Sequence, residues 1–366
     1  MKISVLIPLY KEPKFFVPMV RSLRLNEYED LEIVAVVDGP MTDSISHALS
    51  EAGDSAKVVF PDEHVGKAEA LNRAAFSIET DAFLFLDNDI ELPRDPTFIS
   101  RLASKLVEFD IVDMPKEVIV ESVFSAMIAH EYQSLAMASL LFSRLVHRSP
   151  GVIGAAFAVR KSLFDRLGGF KRVVHEDGDF GARAFRLHAR YAYDLSLKVR
   201  TGMPDTLDDW IKQRKRWTLI NVLWFKDNFL YMAKSVFRQP SILTTLLAIA
   251  LPSVVSLLLF ASLTVGKLSF LNPLIFMIAQ SFQFPAGLFL WLSHHAMLSD
   301  GLISTLAGFA FTFAVYGSFS AIARFRFNPL SFVLYYLAYA PFIMAINIAM
   351  FITQWRTVSV DLEWKT

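Results

Sequence analysis

The sequence predicts an ordinary charged α/β domain followed by a small helical membrane domain. Within residues 1–240, short apolar runs alternate at regular spacing with helical patterns, which favours a parallel sheet with right-handed crossovers. From Ser241 to Trp355, the only charged residues are Lys267, Asp300, Arg324 and Arg326. The boundary between the two parts is therefore placed near Gln239-Pro240.

Composition narrows the classes of function. The formal net charge is +0, so nothing indicates a nucleic-acid surface. Cysteine is absent, which excludes disulfides, thiolate metal sites and a cysteine nucleophile. Met1-Lys2 leads directly into a strand pattern without a signal segment, so we expect the first domain to stay in the cytoplasm. Nothing in the sequence indicates an oligomeric state.

Four strands are predicted in the first 90 residues, with a helix after each of the first three. The strands are Ile3–Ile7, Glu32–Val37, Lys57–Phe60 and Ala82–Leu86. The second helix is expected to begin at a Thr42 cap and the third to cover Ala68–Ile78. Polar residues gather where the strands end, and we expect them to converge on one edge of the sheet: Glu12, Asp38, Lys67, Asp87 and Asp89.

The run Phe83–Leu86 stops abruptly at Asp87-Asn88-Asp89. Two carboxylates spaced Asp-x-Asp at the end of a buried strand can both reach a hard divalent cation, and that cation can clamp a diphosphate. All-oxygen ligation favours Mg²⁺ or Mn²⁺ over zinc. A solvated corner between strand and loop is the alternative interpretation, because Asp and Asn are common there.

The second half of the first domain contains three further features. Val118–Val146 is apolar but interrupted by polar residues, which indicates either an amphipathic helix against the membrane or a core helix. A small-residue strand, Gly154–Val159, comes next. The next segment along the chain is His175-Glu176-Asp177-Gly178-Asp179, which precedes a predicted helix, Gly181–His188. Its acids could interact favourably with the helix dipole or take part in catalysis.

Residues Gln213-Arg214-Lys215-Arg216-Trp217 combine three cations with a flanking tryptophan. The cluster could anchor the chain to an anionic membrane surface or neutralise a diphosphate, and the two roles are compatible. Aromatic and basic residues alternate through residues 218–240, which indicates an interfacial helix. The predicted divisions are thus 1–217, 218–240, a membrane domain 241–355 and a tail 356–366.

Four apolar stretches in the membrane domain approach the length needed to span a bilayer: Ile242–Val265, Pro273–Leu292, Leu302–Ile322 and Phe332–Ile352. Four spans would put Arg324 and Arg326 in an external loop, against the positive-inside rule. The second stretch is the weakest, because Gln280, Gln283 and Pro285 lie within it. We therefore favour three spans over four, with both arginines inside.

Taken together, these motifs resemble the family 2 glycosyltransferases, in the membrane-bound group that includes cellulose synthase, hyaluronan synthase and ceramide glucosyltransferase. The resemblance covers roughly residues 1–230. Six pieces in the family's order carry it: Pro8–Glu12, Val37-Asp38-Gly39, Gly66-Lys67-Ala68 with Leu71-Asn72, Asp87-Asn88-Asp89, Glu176-Asp177, and Gln213-x-x-Arg216-Trp217. It implies a GT-A fold and an inverting transfer from a nucleotide sugar.

The resemblance also implies roles for single residues. Pro8, Tyr10, Glu12 and Asp38 would hold the nucleotide. Lys67 would hold the diphosphate, and Asp87 and Asp89 the metal. Asp177, beside Glu176, would be the catalytic base. Gln213 and Arg216 would close over the diphosphate, and Trp217 would face the acceptor.

The sequence departs from the family pattern at several points. Leu9 replaces a frequent threonine, and His175 stands where threonine is usual. No membrane helices precede the catalytic domain and no Phe-x-Val-Thr gating segment is present, which weakens the interpretation as a polymer synthase.

We therefore expect an integral enzyme of the cell membrane with a cytoplasmic catalytic domain. It would move one hexose, mannose from GDP-mannose first and glucose from UDP-glucose second, onto a polyprenyl (dolichyl-type) phosphate or a polyprenyl-linked glycan. The alternatives are a UDP-glucose-dependent glycolipid glucosyltransferase, a processive polysaccharide synthase and a catalytically dead membrane scaffold. A channel is disfavoured because the membrane part has almost no charge to line an ion path.

Overall fold

The computed structural model describes residues 1–59, 64–204, 206–243, 245, 298–340, 343, 346 and 349–353. Its strands are short; those at the centre of the main sheet are apolar and almost fully buried, as the sequence predicts for a sheet covered on both faces, whereas Lys57–Val59 at the edge is mostly exposed. They are Ile3–Leu9 (β1), Leu31–Val37 (β2), Lys57–Val59 (β3), Ala82–Leu86 (β4), Ile90–Glu91 (β5), Ile111–Asp113 (β6), Lys116–Val118 (β7), Ala156–Arg160 (β8), Tyr191–Tyr193 (β9) and Val199–Thr201 (β10).

The main sheet has seven strands in the order β3-β2-β1-β4-β8-β6-β9. Strands β1 to β4 are all parallel, which confirms the prediction for the first 90 residues. Strand β8 runs antiparallel to both of its neighbours, β4 and β6. The sheet is therefore rich in parallel strands rather than wholly parallel, and the carboxyl ends of β1, β2 and β4 meet at one edge.

The described helices are Phe16–Arg24 (α1), Asp43–Ala52 (α2), Lys67–Ser77 (α3), Phe98–Glu108 (α4), Val123–Leu141 (α5), Lys161–Leu167 (α6), Glu176–Arg186 (α7), Leu207–Arg238 (α8), Leu298–Ala323 (α9) and Pro329–Leu334 (α10). The predicted Thr42 cap is confirmed, because its side chain accepts a hydrogen bond from the backbone N–H of Ile45. Helix α7 begins at Glu176 rather than at Gly181, because the three acids of its first turn are favoured at a helix N-terminus.

Two apolar clusters cover the two faces of the main sheet. One joins the sheet to α1, α2 and α4, with Phe16 and Phe98 among its fully buried side chains. The other joins it to α3, α6 and α7 through a group of packed rings that includes Phe85, Phe164 and Phe180. Because both faces are packed, the sheet is a rigid platform for the polar residues at its edge.

Helix α5 differs from the amphipathic helix predicted over 118–146. It begins at Val123 and continues after Leu141 into a π-helical turn, Phe142–Val146. Its buried side chains include the polar His130 and Gln133, which hydrogen-bond to each other across 3.1 Å. Its apolar residues pack in one cluster with Val118 of the sheet domain and with Tyr316 and Phe332 of the later helices, so α5 connects the two parts.

Helix α8 contains both the 213–217 motif and most of the predicted interfacial segment 218–240, in one continuous element of 32 residues. Several of its large apolar side chains face solvent: Phe229 is 48% exposed, Leu230 72% and Phe237 87%. An apolar surface of this kind on a helix marks a membrane or protein contact.

Helix α9 contains the one described segment that is long and apolar enough to cross a membrane, Leu306–Ala323. Helix α10 and the π-helical turn Tyr335–Tyr339 form a shorter apolar helix after it. The predicted stretch Pro273–Leu292 and all but the first residues of Ile242–Val265 lie outside the described residues.

The segment between α9 and α10 lies against the sheet domain. The backbone N–H of Arg326 donates to Glu117 Oε1 at 3.1 Å, and Gln133 Nε2 donates to the carbonyl of Arg326 at 3.1 Å. Lys198 Nζ also donates to the carbonyl of Arg324. The segment that carries Arg324 and Arg326 is therefore in contact with the sheet domain.

Candidate active site

The acid pair Asp87 and Asp89 follows β4, whose five residues are all buried. The backbone N–H of Asp87 donates to the Ala155 carbonyl at 2.8 Å, and the carbonyl of Asp89 accepts from the Gly202 N–H at 3.2 Å. Backbone hydrogen bonds on both sides therefore fix the turn that carries the two carboxylates.

Lys67, the first residue of α3, lies within this acidic cluster. Its Nζ is 2.5 Å from Asp87 Oδ1 and 3.8 Å from Glu176 Oε1. Burial by itself would lower the pKa of Lys67, but the charges of Asp87 and Glu176 outweigh burial and raise the pKa above its usual value. The lysine therefore stays charged and is surrounded by more acids than it can neutralise.

The excess negative charge shifts the acids themselves. Although Asp89 is solvent-accessible, the surrounding chain partly desolvates its carboxylate, and this effect together with the charge of Asp87 raises the pKa of Asp89 to about 6. Burial likewise raises the pKa of Glu176 to about 7, with a further contribution from Asp177. These shifts indicate a site in which additional positive charge would be favourable.

The donor set fits a divalent cation that arrives with a diphosphate. Among the residues that the structure describes, no group of three or more His, Cys, Asp or Glu side chains could hold a metal alone. Mg²⁺ is commonly bound through one or two carboxylates plus phosphates and waters. Asp87 and Asp89 supply two carboxylates, and all of their ligating atoms are oxygens.

Asp177 is held in place by backbone donors. Its Oδ2 accepts from the Gly154 N–H at 2.9 Å, and its Oδ1 accepts from the Gly178 N–H at 2.7 Å. A Cβ at Gly154 would lie 2.7 Å from Asp177 Oδ2, so a side chain at this position would displace the carboxylate. The negative charge of Asp177 also acts on Lys67, which places it beside the cluster.

A second group of residues lies at the ends of β1 and β2. Asp38 is buried, and its Oδ1 accepts from the Val65 N–H at 2.9 Å and lies 3.2 Å from His64 Nδ1. The rings of Tyr10 and His64 stack with centroids 5.5 Å apart. The aromatic pair and the carboxylate together offer a flat face and a hydrogen-bond acceptor, which are the features that a nucleobase needs.

The other two residues that were predicted to hold the nucleotide are Pro8 and Glu12. Pro8 lies within β1, paired with Val36 of β2, and is half-buried. Glu12 follows the strand and is exposed.

The Gln213–Trp217 motif lies in the first half of α8. Arg216 is exposed, and its positive charge acts on Asp89, whereas Arg214 is only 3% exposed. The ring centroid of Trp217 is 6.2 Å from that of Tyr132 on α5. Gln213 is half-buried, with an Oε1 atom that is buried without a hydrogen-bond partner.

Sequence reasoning missed four residues that shape this site: His64, Tyr132, Glu131 and Gly154. His64 adjoins the Gly66-Lys67 motif and so offered some signal. Glu131 and Tyr132 lie in an apolar stretch whose sequence shows polar interruptions but does not show their partners. Gly154 matters through a contact 23 positions along the chain, which no local pattern shows.

Two protein-family models match this chain. The model of glycosyl transferase family 2 matches residues 4–168, and the model of glycosyl transferase family group 2 matches residues 105–352. The second match spans more than half of the chain, and the chain belongs to this family of glycosyltransferases. It is therefore a glycosyltransferase with a GT-A-like α/β fold.

The individual proteins to which the sequence is similar match only short parts of the chain. The chain is 35% identical over 80 residues to a probable glucomannan 4-beta-mannosyltransferase 6 of Oryza sativa subsp. japonica, and 27% identical over 94 residues to a teichoic acid poly(glycerol phosphate) polymerase of Staphylococcus epidermidis. These matches cover 22% and 25% of this chain and only 14% and 13% of the two relatives.

One solved structure is similar over nearly the whole chain. It is a mannosyltransferase from Pyrobaculum calidifontis in complex with GDP-Man and Mn²⁺, with a TM-score of 0.52 and 17% identity over 97% of this chain and 86% of that one. At this identity the likeness shows a shared fold.

Proposed function

We propose that this chain is an inverting, metal-dependent hexosyltransferase. It moves one mannose from GDP-mannose onto a membrane polyprenyl (dolichyl-type) phosphate or a glycan attached to one. The observation that carries the proposal is the convergence of Lys67, Asp87, Asp89, Glu176 and Asp177 at one edge of the sheet.

In this mechanism an acceptor oxygen attacks the anomeric carbon while the bond from that carbon to the diphosphate oxygen breaks. The negative charge that develops on the leaving diphosphate is stabilised by Lys67 and Arg216. Bound at Asp87 and Asp89, Mn²⁺ or Mg²⁺ would supply further charge neutralisation there. Asp177, whose position is fixed by the Gly154 and Gly178 N–H groups, would take a proton from a hydroxyl acceptor.

Two similarities support mannose as the transferred sugar. The Oryza relative is named a probable mannosyltransferase, and the Pyrobaculum structure holds GDP-Man and Mn²⁺. Asp38, Tyr10 and His64 could serve either guanine or uracil, so UDP-glucose remains the second choice of donor. A UDP-glucose-dependent glycolipid glucosyltransferase is accordingly the second candidate function.

The exposed apolar side chains of α8 and the candidate spanning helix α9 support a lipid acceptor and an integral membrane protein. The active-site residues Arg216 and Trp217 lie on the same helix as those exposed side chains, so a lipid headgroup at the membrane surface would be close to the site. A growing polymer would need a protein-lined channel, since its hydroxyls cannot be left unsatisfied in hydrocarbon. Three or four spans are few for such a channel, which disfavours a processive synthase.

A donor panel tests the proposal. Purified protein in detergent, with Mn²⁺ and a polyprenyl phosphate, is given GDP-mannose, UDP-glucose and two further nucleotide sugars, and nucleotide release is measured. We expect release from GDP-mannose first and from UDP-glucose second. Release from neither of these two would refute the choice of donor.

A further inference from the structure

We propose that Glu131 and Tyr339 position the acceptor-side Trp217 through the buried guanidinium of Arg214. Through these contacts, the apolar segment that carries Tyr339 would set the geometry of the acceptor half of the active site. The inference rests on the proposed function in one respect, namely that Trp217 faces the acceptor. Arg214, Glu131 and Tyr339 would be positioning residues that do not touch the reacting atoms.

Arg214 and Trp217 lie three positions apart on α8 and therefore on one face of the helix. The guanidinium carbon of Arg214 lies 4.5 Å from the centroid of the Trp217 ring and 5.3 Å from that of Trp210. The flat cation thus contacts both indoles. A movement of the guanidinium would remove its contact with the Trp217 ring and leave that ring freer to move.

Glu131 of α5 fixes the position of that guanidinium. Arg214 Nη1 donates to Glu131 Oε1, and both side chains are largely buried. The other carboxylate oxygen, Oε2, accepts from the hydroxyl of Tyr339 at 3.0 Å, and the same hydroxyl accepts from Trp210 Nε1 at 3.2 Å. Because both oxygens of Glu131 are engaged, neither the carboxylate nor the guanidinium can rotate independently.

Trp217 also adjoins an aromatic ring of α5. Trp217 lies beside Tyr132, which follows Glu131 in α5. Burial, and then the charges of Glu131 and Asp89, raise the pKa of Tyr132, so this tyrosine lies within electrostatic range of both acids. Trp217 therefore lies next to both the guanidinium of Arg214 and the ring of Tyr132.

Arg214 is buried, with only 3% of its surface exposed. Its Nε and Nη2 atoms are buried and have no hydrogen-bond partner among the described residues. This separates Arg214 from the exposed Arg216 two positions on, whose charge acts directly on Asp89. The structure thus assigns the two arginines of the motif to different tasks.

The test compares Tyr339→Phe and Arg214→Lys with a matched control, Tyr336→Phe. Tyr336 lies in the same π-helical turn and packs on Phe309 and Phe332, and within the described part of the chain the contacts of Glu131 are made by Arg214 and Tyr339 rather than by the hydroxyl of Tyr336. For each variant, donor hydrolysis without acceptor, transfer with acceptor and melting temperature are measured. We expect the acceptor KM to rise about ten- to a hundredfold in the two test variants, with donor hydrolysis unchanged, and no change in the control.

A paired variant separates positioning from folding. Glu131→Gln alone leaves the buried Arg214 without its counter-charge and should lower the melting temperature. Glu131→Gln combined with Arg214→Gln removes both charges, so the melting temperature should recover while the acceptor KM stays high. Recovery of both quantities would show that the ion pair is structural only and would overturn the inference.

A spectroscopic measurement keeps the inference independent of the acceptor. The chain has 6 tryptophans, and 5-fluorotryptophan labelling with a Trp217→Phe variant assigns the Trp217 signal in ¹⁹F NMR. We expect Tyr339→Phe and Arg214→Lys to shift that signal and Tyr336→Phe to leave it in place. An unmoved signal overturns the inference whatever the acceptor is, whereas absence of transfer to any lipid in the wild type overturns the proposed function alone.

Discussion

Lys67 Nζ lies 2.5 Å from Asp87 Oδ1, so the lysine at the start of α3 is bound to the first acid of the Asp-x-Asp pair. Glu176, at the start of α7, approaches the same ammonium at 3.8 Å. Three elements distant in sequence therefore meet around one cation. Because acids outnumber cations there, the stability of the protein should depend on the protonation of Glu176 and on the charge of the Asp87–Asp89 pair.

The first prediction concerns stability and pH. The pKa of Glu176 in the folded protein is about 7, against an ordinary value of 4.5, so the folded state holds more protons than the unfolded state between these values. The stability contributed by this group is therefore present at low pH and falls as pH rises through about 7. Glu176→Gln should stabilise the metal-free protein by about 1–3 kcal/mol at pH 8 and have little effect near pH 4.5.

Thermal unfolding in detergent with excess chelator, at the two pH values, measures this effect. Glu69→Gln is the control, because Glu69 forms an exposed pair with Arg73 outside the cluster. An equal change in melting temperature at both pH values would contradict the prediction.

The second prediction concerns the metal. Asp89→Ala should abolish Mn²⁺-dependent nucleotide release and leave the melting temperature of the metal-free protein unchanged or higher, because it removes a carboxylate crowded by Asp87. Glu91→Gln, two residues on and paired with Arg200 at 2.7 Å, should retain activity. Full turnover of the wild type in excess chelator would rule out the metal-dependent mechanism.

The third prediction distinguishes the two kinds of acceptor. A phosphate with a second pKa near 6 is largely ionised at neutral pH and needs no base, so Asp177→Asn should reduce transfer to a polyprenyl phosphate only mildly. With a hydroxyl acceptor the same change should cost roughly two to four orders of magnitude. We expect the mild outcome.

Rates of transfer per folded protein are compared for Asp177→Asn and for Asp179→Asn. Asp179 lies in the same turn but pairs with Arg183 at 2.5 Å, and its variant reports the general effect of changing an acid in that turn. A loss confined to Asp177→Asn and larger than about a hundredfold would exclude the phosphate as direct acceptor and favour a lipid-linked glycan.

The fourth prediction concerns topology. Because Arg324 and Arg326 contact Lys198, Glu117 and Gln133, we expect the segment between α9 and α10 to lie on the cytoplasmic side. This supports three spans, since four would place that segment outside. The chain has no cysteine, so Leu330→Cys, at a side chain that is 71% exposed, gives a single reporter.

An impermeant maleimide should label Leu330→Cys in inside-out vesicles and leave it unlabelled in intact cells. Ser104→Cys, on an exposed position of α4, is the positive control for the cytoplasmic side. Labelling of Leu330→Cys in intact cells would support four spans instead.

Much of the sheet and its polar edge could be predicted from the sequence. Strands β1 to β4 are local apolar runs, and parallel strands bring their carboxyl ends together, so the meeting of Lys67 with Asp87 follows from periodicity and turn positions alone. Strand β8 could not be placed in this way. It inserts antiparallel beside β4 and brings Gly154 to Asp177, and strand order depends on long-range packing that no local pattern encodes.

The contacts of α5 and α8 were also beyond prediction. Glu131 and Arg214 are 83 positions apart, and Tyr339 is 208 positions from Glu131. Each residue taken alone is an ordinary polar interruption of an apolar stretch. Their pairing becomes visible only when three helices are packed together, because a buried charge must then find a partner.

The most direct test of the account is the identity of the labelled product. Purified protein is incubated with Mn²⁺, GDP-mannose carrying a radiolabelled sugar, and a polyprenyl phosphate, and the organic extract is analysed by mass. The account predicts one labelled lipid, with a mass equal to polyprenyl phosphate plus a single hexosyl residue (one hexose less one water), and none with Asp89→Ala. A ladder of longer products, or label transferred only to added soluble glycans, would contradict it.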